Sequence, residues 1–288
     1  MDRRALILDG LDLTGLGLEI GAGYGPLAAG QPGLKVRTLD HLDQAGLIEK
    51  YARQGQPTEH IGPVDYVWNG QRYAELMGET RFDWIVASHV IEHVPDLVGF
   101  LDQCAEVLAP GGVLTLAVPD RRYSFDYYRP ESGLREMIDA HVAGRTLSSP
   151  GCAAEHFLNL ARLNGKDTWD ADSGGRPEFV VPLETAENRY QRALAGTYVD
   201  VHAWVFTPSS FRLAMEDLYA LGLTRLREAR FHDTVGCEFF VQLSAGGAGP
   251  GLPRIELAQR AVLERGPVRA EPAAPPSSAP RRRWFLGS

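Results

Sequence analysis

Eight histidines are spread along the chain, and three of them, His89, His156 and His202, stand where their neighbours suit proton transfer. Imidazole changes charge near neutral pH, so each is a candidate base for a hydroxyl that must lose its proton as it reacts. His202 sits in DVHAWVFTP, and in an extended segment Asp200 would share its face and orient the ring. His156, in AAEHF, is the second candidate, while His89 suits positioning. Glu92 and His93, in VIEHVPD, have the residue types of a metal site. Local helix and loop hydrogen bonding accounts for them more simply, because nearby Asp96 need not point the same way. No metal ligand set is assigned.

A second group lies near the N-terminus. LEIGAGYGPL, Leu18 to Leu27, places Gly21, Gly23 and Gly25 directly behind a short apolar run, with Glu19 just before them. Glycines let a backbone approach a ligand closely, and the start of a following helix would offer unpaired N–H groups. A dinucleotide site wants G-x-G-x-x-G. Gly21 and Gly23 fit that pattern, but Pro26 takes the third glycine's place. Asp40 stands where an acidic residue would hold ribose hydroxyls of either kind of cofactor. Glu19 discriminates, because a carboxylate there would repel a pyrophosphate and favour a ligand with a cationic sulfonium and a free amino group. A nicotinamide-dependent reductase is therefore disfavoured.

These residues need a scaffold. Apolar runs of strand length alternate with helical patterns through the first 120 residues or so, the signature of parallel strands joined by crossovers. The strand candidates are Gly17 to Ile20, Leu34 to Leu39, Val64 to Trp68, Trp84 to Ser88 and Val113 to Val118. Leu97, Phe100, Leu101, Cys104, Ala105 and Leu108 recur at helical spacing between the last two, and Pro110, Gly111 and Gly112 end that helix. Asp120 to Asp200 is irregular and rich in Arg, Tyr, Trp and Gly, with helices expected near Leu134 to Val142 and Ala154 to Leu163. Thr207 caps a further helix beginning at Pro208, and strands follow at Leu223 to Phe231 and Glu238 to Leu243. The expected architecture is a Rossmann-like α/β domain with a seven-stranded, mostly parallel sheet, helices on both faces and an antiparallel C-terminal hairpin. Residues 120–200 would form an insertion over the carboxyl ends of the strands, where open α/β sheets bind ligands.

The domain is expected to span 1–245. Beyond it Gly, Ala and Pro dominate, apart from an amphipathic helix around Arg254 to Leu263. EPAAPPSSAP cannot bury enough apolar surface to offset ordering, so 246–288 reads as a flexible tail. A net charge of −8 argues against a nucleic-acid-binding face. Three widely spaced cysteines, Cys104, Cys152 and Cys237, suggest neither a disulfide framework nor a zinc cluster. No apolar run approaches the roughly 20 residues of a bilayer span, and the opening MDRRALILDG is short of apolar residues for a secretory signal. Cytoplasm is the expected compartment.

LEIGAGYG, the acidic strand end in RTLDH, FDWIVASHVIEHV and EVLAPGGVLTLAVPD together resemble class I S-adenosylmethionine-dependent methyltransferases, in motif order and spacing, over about residues 17–120. The resemblance implies that Glu19, Gly21, Ala22 and Gly23 line the methionine end of S-adenosylmethionine and that Asp40 takes the ribose hydroxyls. It places His41 beside the adenine, Gly70 and Gln71 at the position that accepts the adenine amino group, and Ser88 and His89 under the sulfur. The family commonly has an aspartate where Gln71 stands, so the acceptor here is an amide oxygen. PDRRYSFDYYRP and DVHAWVFTPSSF resemble a bacterial subgroup associated with polysaccharide and glycoconjugate assembly. That implies methyl transfer to a hydroxyl of a saccharide or nucleotide-linked sugar, with His202 or His156 as base. Asp120, Arg121, Tyr123 and Trp204 would contact the acceptor. The alternatives are a natural-product O- or N-methyltransferase and a non-catalytic interaction protein on the same fold.

Overall fold

A computed structural model describes residues 2–266. Seven strands form one sheet, β1 (Leu16–Ile20), β2 (Lys35–Asp40), β3 (Tyr66–Val67), β4 (Phe82–Ser88), β5 (Leu108–Pro119), β8 (Arg227–Val235) and β9 (Glu238–Ser244), in the order β3-β2-β1-β4-β5-β9-β8. The pairs from β3 to β5 are parallel, while β9 runs antiparallel to both β5 and β8. A small antiparallel pair, β6 (Ala161–Arg162) and β7 (Glu178–Phe179), lies apart from the sheet. The chain runs outward from β1 to β2 and β3, then returns to lay β4 on the other side of β1. Ligands bind at such a reversal, because the connections diverge there and leave a crevice at the carboxyl ends.

The sheet's two faces are covered differently. One carries the large apolar core, in which Leu18, Ile85, Leu101, Leu116, Phe211 and Leu218 meet. It is closed by α3 (Tyr73–Met77), α4 (Leu97–Val107), α5 (Leu134–Val142) and α8 (Pro208–Ala220). α4 and α8 follow the expected periodicity, and Thr207 and Ser210 form a reciprocal cap at the start of α8. The opposite face is thinner, with Leu6 and Ile7 of α1 (Arg3–Ile7) and Leu27 and Ala28 packing on Trp84, Val86 and Phe240. Gly17 lets Trp84 lie flat there, since a Cβ on Gly17 would stand 2.1 Å from the indole. Ala22 to Leu34 contains no helix, so the helix start expected to offer N–H groups after the glycine turn does not exist. Pro26, Gly30 and Pro32 break the segment, and its remaining run is too short to nucleate a helix.

Other boundaries moved for local reasons. α4 stops at Val107, ahead of Pro110, and Ala109 to Gly112 bulge between the pairings Phe82 with Leu108 and Trp84 with Val113. In the insertion, α5 falls as expected and α6 (Pro150–Asn159) begins earlier, at a Ser149 cap followed by a proline. α7 (Leu183–Leu194), a polar and largely exposed helix, carries little apolar signal and was not foreseen. The ordered chain also continues past 245. α9 (Arg254–Glu264) buries Leu257 and Ala261, pairs Arg254 with Asp217 of α8, and caps Ser209 through Glu264. The amphipathic helix expected around Arg254 to Leu263 is present as α9 within the span assigned to the tail, and EPAAPPSSAP lies outside the described residues.

Candidate active site

The carboxyl ends of β1, β2 and β4 stand side by side, with Ile20 paired to Leu39 and Ala87. Gly21 leaves β1 with φ of 68° and Gly23 continues with φ of 50°, a left-handed geometry that glycine adopts without a Cβ penalty. Space is short as well. A Cβ on Gly21 would stand 2.8 Å from Val90, and one on Gly23 would stand 2.8 Å from the Tyr51 hydroxyl. The turn thus presents a bare backbone wall, as the sequence suggests for a closely approaching ligand.

Glu19 does something else. Only 2% exposed, it accepts from Leu27 N at 2.7 Å through Oε1, and from Ala28 N at 2.9 Å and Ala29 N at 2.7 Å through Oε2. Its carboxylate answers three backbone donors that no helix satisfies, so it fixes the loop behind the glycine turn. These bonds supply what the missing helix does not.

Asp40 closes the pocket from β2. Its Oδ1 takes His41 N at 2.8 Å and lies 2.6 Å from His41 Nδ1, while Oδ2 has a single long contact, 3.4 Å, from Gly23 N. That oxygen keeps capacity to accept from vicinal hydroxyls beside the glycine wall, so the residues here fit the ribose and methionine portions of S-adenosylmethionine. His41 lies outward against Lys50, 3.1 Å away. Tyr51 of α2 (Gln44–Arg53) packs edge-on against Tyr24 over the turn. Burial, with the charge of Asp40, lifts its phenol to about 12, so it stays a neutral donor. Gly70 and Gln71 lie in an exposed turn after β3, where the Gln71 amide oxygen accepts from Asn69 N at 2.6 Å. Local turn geometry thus already uses the oxygen offered to adenine.

At the end of β4, His89 adopts φ of 53°, uncommon outside glycine and a sign that surrounding contacts impose the geometry. Its Nε2 lies 2.7 Å from Glu238, which also binds Arg3, and Arg3 donates to the Ser88 hydroxyl at 2.6 Å. Burial opposes protonation of His89, but Glu238 and Glu92 outweigh it and raise its pKa. Ser88 and His89 stand at the end of β4 with their polar atoms held in a clasp by Arg3 of the N-terminal helix and Glu238 of β9.

The insertion brings the histidines in over this end of the sheet. His202 Nδ1 lies 2.5 Å from Asp126 Oδ2, and the other carboxylate oxygen accepts from Arg129 at 2.8 Å, all three residues being buried. Burial alone would favour the neutral acid, but His202 and Arg129 hold Asp126 ionised well below the usual range. Asp126, not Asp200, therefore orients the ring. Asp200 turns to His93 Nδ1, 2.9 Å away but not aligned for a hydrogen bond. His93 meets His202 edge-on at 4.7 Å. His156 packs on Phe125 and Phe157 and accepts from His202 N at 3.3 Å. Burial holds its pKa down at about 3. Glu92 is 1% exposed, and neither of its carboxylate oxygens has a hydrogen-bond partner among the described residues, contrary to the local bonding expected of it.

Three residues expected to contact the acceptor are engaged elsewhere. Asp120, 0% exposed, binds Arg122 and Thr234. Arg121 donates to the carbonyls of Tyr127 and Arg129. Trp204 is core, its indole N–H on Val94 O at 2.7 Å. A charged or aromatic residue just past a strand can as readily close the insertion as line its mouth, and here the closing contacts take these side chains. Tyr123 stays at the insertion's base, where its carbonyl accepts from Trp169 N. Asp126, Arg3, Tyr51 and Glu238 carry no local signal in the sequence because each acts on a partner far along the chain. Only the DRRYSFDYYR stretch drew attention to the neighbourhood of Asp126.

A family model described as a methyltransferase domain matches residues 2–218. A ubiquinone biosynthesis O-methyltransferase of Psychrobacter arcticus is 29% identical over 179 residues, covering 62% of this chain and 56% of that protein. The human mitochondrial protein of the same description is 35% identical over 99 residues, covering 34% of this chain and 27% of its own. The matched part thus spans about half the length, or less, of these curated relatives. Among solved structures, an S-adenosylmethionine-dependent methyltransferase from Clostridium acetobutylicum aligns over 81% of this chain and 84% of its own, at 12% identity and a TM-score of 0.41.

Proposed function

The chain belongs to the methyltransferase domain family and its cofactor is S-adenosylmethionine, and from that premise we propose that it methylates a hydroxyl oxygen of a small-molecule acceptor with His202 as the proton acceptor. One observation carries the reading. A buried carboxylate, Asp126, lies 2.5 Å from His202 Nδ1, which fixes the proton on that nitrogen and leaves the Nε2 lone pair as the basic site. An oriented imidazole above the switch point is what a hydroxyl nucleophile needs and a neutral amine does not. The relatives named O-methyltransferases support an oxygen acceptor.

When bound, the cofactor supplies a methyl group on positively charged sulfur, activated for direct displacement. Everything else falls to the chain's own side chains and backbone. Gly21 and Gly23 let the ligand lie against bare backbone, Asp40 Oδ2 accepts from the ribose side, and Tyr51 covers the turn. The insertion limits water over the acceptor and holds it in line, from which much of a rate can come. His156 is the weaker choice of base, since an imidazole held near 3 draws a proton poorly.

The saccharide or nucleotide-sugar acceptor rests on the two insertion motifs alone, whereas relatives named for ubiquinone biosynthesis favour a hydroxyl compound of that pathway. Calorimetry with S-adenosylmethionine and S-adenosylhomocysteine, followed by turnover on saccharide, nucleotide-sugar and ubiquinone-pathway hydroxyl compounds, tests the reading. Binding of both ligands with methylation of an oxygen is the expected result. Heat from neither ligand would replace it with the interaction-protein reading.

A further inference from the structure

We propose that Glu92, His93 and His202 form a binding site for one divalent transition-metal ion of zinc-like donor preference. The three residues come from two places, the loop after β4 and the return of the insertion, and one donor atom of each lies within 4.8 Å of the others. Convergence alone would be weak. Glu92 supplies the independent observation, because a carboxylate 1% exposed with neither oxygen hydrogen-bonded among the described residues is a desolvated polar group that folding tolerates only if something answers it. The nearby cationic group, His89 Nδ1, stands 3.5 Å from one oxygen without a hydrogen bond.

The imidazoles are arranged to be ligands. A metal-binding histidine characteristically gives its second ring nitrogen to a carboxylate, which fixes the tautomer and strengthens the free nitrogen as a donor. His202 does this with Asp126, 2.5 Å from Nδ1, while Asp200 stands 2.9 Å from His93 Nδ1 outside hydrogen-bond alignment and needs only a small turn to do the same. Two imidazoles and one carboxylate leave a fourth tetrahedral position open, the composition of sites where a metal meets an exogenous oxygen. Nitrogen donors favour zinc, cobalt or nickel over magnesium and calcium, which prefer an all-oxygen shell.

The role of the ion rests on the methyltransferase reading, although its binding does not. An ion in the open position's reach would hold the acceptor's hydroxyl oxygen and ease its ionisation. His202 Nε2 then serves as ligand when the ion is present and as base when it is absent, so occupancy decides between the two roles.

The test uses the full chain, stripped with a chelator and titrated with Co2+ alone, read by visible d–d absorption and calorimetry. One equivalent should bind with the spectrum of a low-coordinate nitrogen-containing site. Glu92→Gln and His93→Ala should each weaken Co2+ binding by about a hundredfold or more, and Asp200→Asn by about tenfold. Asp200 is exposed, so its variant keeps the test alive should the buried changes unfold the chain. Wild-type binding no tighter than that of Glu92→Gln, or spectra identical across folded variants, would overturn the site. S-adenosylhomocysteine titrated into the same ion-free samples separates the two ideas. Its heat without Co2+ binding removes the metal site alone, and Co2+ binding without its heat removes the methyltransferase reading and leaves the site standing.

Discussion

The glycine turn and the insertion both bury charge at the head of the sheet, and they neutralise it in opposite ways. Glu19 is met by backbone N–H groups eight to ten residues along the chain, so its loop is fixed by near neighbours and cannot move without losing them. Asp126 is met by side chains, Arg129 close by and His202 seventy-six residues away. The first arrangement builds a rigid wall. The second joins two segments of the insertion through a single carboxylate, and it couples the reactive imidazole to the integrity of the cover. Glu92 belongs to neither, its carboxylate lying 3.5 Å from His89 Nδ1 with no hydrogen bond among the described residues.

Breaking the insertion's carboxylate should have the largest effect. Asp126→Asn removes the buried charge partner of Arg129 and leaves it only the more exposed Glu155 at 3.2 Å, which costs about 3 kcal/mol, read as a lower urea midpoint together with lost turnover. If stability held within experimental error, the pair would not be what joins the two segments. His202→Ala should come next, lowering turnover by about a hundredfold or more while cofactor affinity measured by calorimetry stays nearly constant. An equal loss in both would place His202 in ligand binding and not at the reacting hydroxyl.

Glu19→Gln tests the other side. An amide offers one oxygen to three donors and turns an N–H toward the rest, so a loss of about 2 kcal/mol is expected, accompanied by weaker cofactor binding because the wall loosens. Unchanged affinity in a destabilised protein would show that the loop and the ligand pocket are independent. The smallest effect concerns the clasp at Ser88 and His89. Burial favours the protonated acid at Glu238, but His89 and Arg3 outweigh it and hold its pKa below the ordinary 4.5. The native state therefore binds fewer protons than the unfolded chain, and the clasp's stabilisation is present above that value and lost as pH falls through the depressed one. Glu238→Gln should flatten the stability curve in this acid window. An unaltered slope would assign the acid sensitivity elsewhere.

Gly21, Gly23 and Asp40 could be placed from the sequence because their meaning is local, a turn that admits no side chain and a carboxylate at a strand end. The strands' places along the chain and their mostly parallel pairing followed from alternation of apolar runs, and α4 and α8 from helical spacing and a cap. The missing helix after β1 was signalled by Pro26, Gly30 and Pro32, but not its replacement by Glu19, because backbone donors carry no sequence signature. Asp200 was the nearer carboxylate to His202 along the chain, and the fold chose Asp126. Asp120, Arg121 and Trp204 were read by their types as acceptor contacts and are spent on closing the insertion.

By itself the sequence determined where the strands fall along the chain, the bare turn and the acidic residue that faces it, since these depend on periodicity and on backbone sterics that each short segment carries within itself. Which carboxylate serves which histidine, and which charged groups are used up in structural pairs, was settled only when distant segments packed together. Those outcomes depend on a few ångströms of separation and on the exclusion of water, quantities that no linear spacing encodes.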